Sequence, residues 1–211
     1  MKKIIVPEDI SEIKLNNYQS YARDLKEDMS DDDLHFHAVS TLCEGDTDSV
    51  SHLDAKSIHD IGKYIIDLLG SQSEVIYQFN LRGCKYGLIP HLHEITTREY
   101  LTLMEFIDQG QDENLHHVMA ILFRPVVQEL HEKYKVSDEY YSEERAELFR
   151  KELTMNIVQG CMLFFSAITT TFWSDSPSFS KEVQATKEQV KQSVSVGTTS
   201  RTRPEMETIT K

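Results

Sequence analysis

Apolar residues in this chain recur at two different periods, and the changes of period mark out its elements. The first piece, from Lys3 to Pro7, reads as extended. A helix is predicted from Asn16 or Asn17, both good N-caps, with Tyr18, Tyr21, Ala22 and Leu25 on its apolar face. Ser30 before three aspartates marks a second start, because acids favour the positive end of a helix dipole. That helix runs to about Cys43, and a loop follows from Glu44 to Leu53. Asp54 caps the next helix, whose Ile58, Ile61, Ile65, Leu68 and Leu69 keep the helical period until Gly70 stops it.

Between Val75 and Leu81 the pattern alternates, turns at Arg82-Gly83, and resumes from Cys84 to Ile89. This is a β-hairpin signature, and a lone hairpin needs helices or the Ile4–Val6 segment to pack against. Helical spacing then returns. Thr96 and Glu99 form a capping box ahead of Tyr100, Leu101, Leu103, Met104 and Ile107. Gly110 ends that helix, and Asn114 opens another with Leu115, Val118, Met119, Leu122 and Phe123 inward. Pro125 interrupts it. The expectation is a kink, or a new helix that buries Val126, Val127, Leu130 and Tyr134. Pro125 cannot donate to the carbonyl of Ile121, so the guanidinium of Arg124 could satisfy that carbonyl or pair with a carboxylate of another helix.

A charged stretch from Ser142 to Glu152 leads into Thr154–Ser174, which contains no charged residue. Val158, Cys161, Met162, Phe165, Ile168 and Phe172 share one face there. Asn156, Gln159, Ser166 and Thr170 share the other, which predicts a core or partner-binding helix rather than a bilayer span. Beyond it the sequence becomes rich in Ser and Thr, with few apolar anchors. The predicted organisation is therefore a helical domain over 1–173 and a flexible extension over 174–211. The fold class expected from all of this is mainly α, with one small β-hairpin and a flexible C-terminal tail.

The net charge of -13 disfavours the phosphate backbone of nucleic acid and an anionic membrane surface as partners. Basic and acidic residues nearly balance after residue 174, so the acidity belongs to the body. Cys43, Cys84 and Cys161 are few and widely spaced, which points to buried thiols rather than disulfides or a zinc motif. Nine histidines include His35-Phe-His37, His91-Leu-His93 and His116-His117. On a helix, residues i and i+2 diverge, so His35 and His37 point apart. No HExxH, nucleophile elbow, Walker loop or GxGxxG is present. The expectation is no catalytic residue, no cofactor and no metal.

Several pieces in order are similar to a family of tailed-bacteriophage proteins. They are the opening Ile5-Val-Pro-Glu-Asp-Ile-Ser-Glu-Ile-Lys-Leu-Asn-Asn-Tyr-Gln19, Tyr86-Gly-Leu-Ile-Pro90, Ile95-Thr96, Glu99-Tyr100, Leu115-His-His-Val-Met-Ala-Ile-Leu-Phe-Arg-Pro-Val126 and Phe164-Phe165. That family comprises tail assembly chaperones and baseplate hub assembly proteins. The resemblance spans most of 4–166 and leaves the tail outside. It implies a non-catalytic role in the host cytoplasm, or in the virion tail or baseplate. The implied partner is the tape-measure or hub protein, with the tail tube protein and further copies of this chain as others. Arg124, Phe164, Phe165, Phe172 and Trp173 are the candidate partner contacts. A structural virion component is the alternative, and a histidine-based metal-dependent enzyme ranks below it.

Overall fold

The computed structural model describes residues 4–26, 28–45, 47–90, 95–131 and 133–163. A short 3-10 turn at Ile10–Glu12 precedes α1 (Leu15–Asp24), α2 (Asp31–Leu42), α3 (Thr47–Ser51) and α4 (Ala55–Leu69). Strands β1 (Gln78–Leu81) and β2 (Cys84–Leu88) come after them, then α5 (Thr97–Asp108) and α6 (Gln111–Leu122). Next come β3 (Phe123–Leu130), β4 (Lys133–Val136) and α7 (Glu143–Glu152). A last helix, α8, is described over 155–163.

Three predicted helix starts obey their caps, but α1 begins at Leu15 behind an uncapped Lys14 rather than at Asn16 or Asn17, α6 begins at Gln111 behind Gly110 rather than at Asn114, and the predicted loop from Glu44 to Leu53 contains α3. Ser30 accepts from the Asp33 amide, and Asp54 accepts from the Ser57 amide. The capping box at Thr96 and Glu99 is complete, with both reciprocal bonds made. The hairpin is present as predicted. Arg82 and Gly83 both have positive φ, 48° and 79°, the twist a two-residue hairpin turn requires.

The fold class is not the mainly helical one expected. β1, β2, β3 and β4 form one four-stranded antiparallel sheet in sequence order, with α5 and α6 inserted between β2 and β3, so the fold is mixed α/β. The predicted helix after Pro125 is strand. Leu88, Gly87 and Tyr86 face Phe123, Arg124 and Pro125, and the chain then pairs with β4 from Val126 to Leu130. Val126, Val127, Leu130 and Tyr134 do fit a helical period, but the free edge of β2 selects the extended form. Two consecutive β-branched valines suit that form. Pro125 is tolerated because its carbonyl accepts from the Ser137 amide, 2.8 Å away, just past the last paired residue of β4. Its missing donor therefore falls where the ladder ends. A bulge between Val126 and Gln128 leaves Val127 and Leu130 exposed rather than in the core. The Ile4–Val6 segment does not join this sheet; Ile5 bridges Glu44 instead.

One face of the sheet packs Phe79, Tyr86 and Phe123 against Phe149 of α7, with ring centroids 5.0–5.8 Å apart. Such separations suit offset and edge-to-face aromatic contacts. Helix α6 lies at the centre, with Val118 to Leu122 all buried. The start of the chain is held by the α7–α8 junction, where the Leu15 amide donates to Leu153 and the Met155 amide donates to Ile13. In α8, Met155, Val158 and Cys161 are buried, and Gln159 donates to the Leu69 carbonyl at the end of α4. No helix among the described residues is long and apolar enough to cross a membrane. The remainder of the helix predicted over 154–174 and the extension predicted over 174–211 lie outside the described residues.

Phe149 is fully buried and touches two strands. Phe149→Ala should cost about 3–5 kcal/mol in urea unfolding, while Leu130→Ala at the exposed hairpin end should cost under ~0.5 kcal/mol. Equal costs would show that the aromatic cluster is not the core.

Candidate functional site

Arg124, the first of the predicted partner contacts, sits at the junction of α6 and β3 and is buried. Its Nε donates to the Ile121 carbonyl at 3.2 Å, and its Nη2 meets Glu99 Oε1 at 3.0 Å. Both roles read from the sequence are thus filled at once. Glu99 is buried too, and its other oxygen accepts from the Thr96 amide at 2.6 Å. The carboxylate therefore caps α5 and neutralises the guanidinium together, as a buried charge requires. Phe164, Phe165, Phe172 and Trp173 lie outside the described residues.

This pair forms the floor of a cleft of about 630 Å³ beside β4. Ile89, Ile95 and Val136 supply apolar wall, and Lys133, Lys135 and Asp138 bring two positive charges and one negative to its lining. Tyr134 closes one side. Its hydroxyl donates to the Leu88 carbonyl at 2.6 Å, and its ring lies so close to Gly87 that a Cβ there would stand 2.5 Å away. Burial pushes the Tyr134 phenol up to about 12. Among the described strands β4 is paired only with β3, so its other edge is unpaired. Lys133 and Lys135 on it are the charges that commonly guard an edge against indiscriminate pairing.

The histidines fall into separate settings. His37 Nε2 lies 3.0 Å from the Tyr21 carbonyl and its ring stacks on Tyr21, while His35 turns to α4. The two therefore diverge, as helical spacing requires. His91 and His93 lie outside the described residues. His116 is buried with Nδ1 3.0 Å from Gln19 Nε2, a bond that ties α1 to α6. The neighbouring ring of His117 stacks on Phe106 at 4.4 Å and lies 2.9 Å from the Tyr141 hydroxyl. Burial, and then the adjacent His117, lower the His116 imidazole to about 4.

One arrangement has no counterpart among the sequence motifs. Asp32 and His35 of α2 and His59 of α4 bring ligand-type atoms within 4.8 Å of one another. Asp32 and His35 stand at i and i+3, a shared helix face that H-x-H spacing does not reveal. His59 has no local signal at all. Cys43 and Cys161 are buried and Cys84 is half-buried, and all three are free thiols. Burial pushes the Cys43 thiol up to about 11, away from a reactive thiolate.

Comparison with protein-family models, with curated proteins and with solved structures finds no match to this chain. Its function must therefore be read from the residues and their geometry.

Arg124→Met leaves the buried Glu99 carboxylate without its cation and should cost about 3–5 kcal/mol, whereas Glu99→Gln/Arg124→Met should recover most of that loss. Additive single costs would contradict a coupled pair. A second outcome concerns pH. The unfolded His116 imidazole, near 6.5, takes up a proton that the folded one refuses until about pH 4. Acidification through that window thus favours the unfolded chain, by about 2–3 kcal/mol at pH 4.5. His116→Asn, which keeps an acceptor for Gln19, should lose that much of the stability difference between pH 7 and pH 4.5. An unchanged difference would show that His116 titrates normally.

Proposed function

We propose that this chain is a non-catalytic assembly protein of a phage tail or baseplate that holds the tape-measure or hub protein during tail morphogenesis. The observation that carries this reading is the cleft beside β4. It joins apolar wall, a lysine-bearing unpaired strand edge and a floor whose charges are already paired. Glu99 and Arg124 satisfy each other and nearby backbone, so they shape the cleft rather than wait for a substrate. An unpaired strand edge can accept a partner strand, and an apolar groove can accept one face of a partner helix. The two lysines favour an acidic or mixed partner segment, while the strongly acidic remainder discourages association with other acidic proteins. The ordered resemblance over 4–166 names the class of partner. The tail tube protein and further copies of this chain are secondary partners on the same reading, and the host cytoplasm is the compartment.

The test is co-expression of the full chain with the tape-measure or hub protein of the same phage, followed by co-purification. Ile95→Asp and the pair Lys133→Glu/Lys135→Glu should weaken capture at least tenfold, about 1.4 kcal/mol. Phe36→Asp, on the exposed side of α2, should leave capture unchanged. Capture that ignores the cleft variants would overturn this assignment of the surface, and failure to capture either protein would overturn the function. Retention of the chain in purified particles would make it a structural tail component instead.

A further inference from the structure

Helices α2 and α4 approach each other unusually closely. At Gly62 an added Cβ would stand 2.5 Å from the Cβ of His35 and 2.8 Å from its carbonyl oxygen. One turn before Gly62, the His59 ring meets the His35 ring edge-on, with centroids 4.5 Å apart. Asp32, one turn before His35 on α2, completes a triangle with every ligand-type atom within 4.8 Å of the others. Asp32 and His59 are exposed, while His35 is only 9% exposed. Its Nδ1 is buried and has no hydrogen-bond partner. A buried polar nitrogen of that kind is costly unless something binds it.

We propose that Asp32, His35 and His59 form a zinc(II) site that clamps α2 to α4. Two imidazoles and one carboxylate are a borderline donor set that suits zinc. In a tetrahedral site with bonds of about 2.0–2.1 Å, ligand atoms stand about 3.4 Å apart, so side-chain rotation must draw these three together by roughly an ångström. The exposed rotamers of Asp32 and His59 can supply that movement, and the buried His35 is the fixed ligand. Asp31 and Asp33, in the same first turn of α2, add negative field that favours a cation. Three protein ligands leave a fourth position on the solvent side for water or a side chain of another protein. The role is structural and independent of the cleft beside β4. It departs from the sequence expectation of no metal because the third ligand comes from another helix.

The test uses untagged full-length protein, stripped with chelator and titrated with zinc(II). Calorimetry should give one zinc per chain, and zinc should raise the melting temperature. Cobalt(II) should give the visible absorption of a low-coordinate nitrogen–oxygen site. His59→Ala and Asp32→Asn change exposed side chains and should fold without zinc. Each should bind zinc at least about tenfold more weakly, lose the melting shift and lose the cobalt spectrum. His52→Ala, at another exposed histidine, should behave as wild type. Zinc binding that is absent from the wild type, or that survives His59→Ala unchanged, would overturn the proposal.

Discussion

The C-terminal end of α6 is the constraint on which the rest of the structure depends. A helix leaves its last four carbonyls without intrahelical partners, and here they lie in the core. Each finds a donor. Met119 accepts from the Phe123 amide, and Leu122 accepts from the Ile89 amide at the end of β2. Ala120 accepts from Nε of Arg145, and Ile121 accepts from Nε of Arg124. Two buried guanidiniums thus close the negative end of a central helix dipole, a favourable place for positive charge. Arg145 is in turn held by Glu139, and Arg124 by Glu99.

That arrangement decides how the chain continues. With its carbonyls met from outside, α6 can stop at Leu122 and pass directly into β3. Ile89 on Leu122 brings β2 alongside, and the β2–β3 pairing continues from there. Because Arg124 reaches to Glu99, the start of α5 is drawn over the sheet, and the cleft beside β4 opens between them. The same α6 carries His116 and His117 on its other side, where Gln19 and Tyr141 tie it to α1 and to the segment before α7. One buried helix therefore sets the sheet and the cleft.

Much of this is legible in the residues, and the exceptions have physical causes. Ser30, Asp54 and Thr96 announce their helices because capping is a local interaction. Arg82-Gly83 announces a hairpin because a tight turn needs positive φ. The partnership of Arg124 with Ile121 and a distant acid is also readable, although for another reason than the one read from Pro125: the Ile121 carbonyl is free because α6 ends at Leu122, not because a proline interrupts a continuing helix. The conversion of Val126–Tyr134 to strands is not, because that segment satisfies a helical period and only the unpaired edge of β2 overrules it. The lack of charge in Thr154–Ser174 points to burial, and Val158 and Cys161 are buried. The juxtaposition of Asp32, His35 and His59 depends on how closely α2 and α4 cross at Gly62. No spacing within either helix carries that information.

The central claim is that the cleft shaped by Glu99 and Arg124 beside β4 is where a tail-assembly partner is held. Hydrogen–deuterium exchange of the chain, alone and in complex with the co-expressed tape-measure or hub protein, tests this most directly. The account predicts partner-dependent protection of peptides covering β4 and the first turn of α5, with α2 and α4 unchanged. Protection confined to α2 and α4, or a complex that leaves β4 exchanging as freely as before, would contradict it.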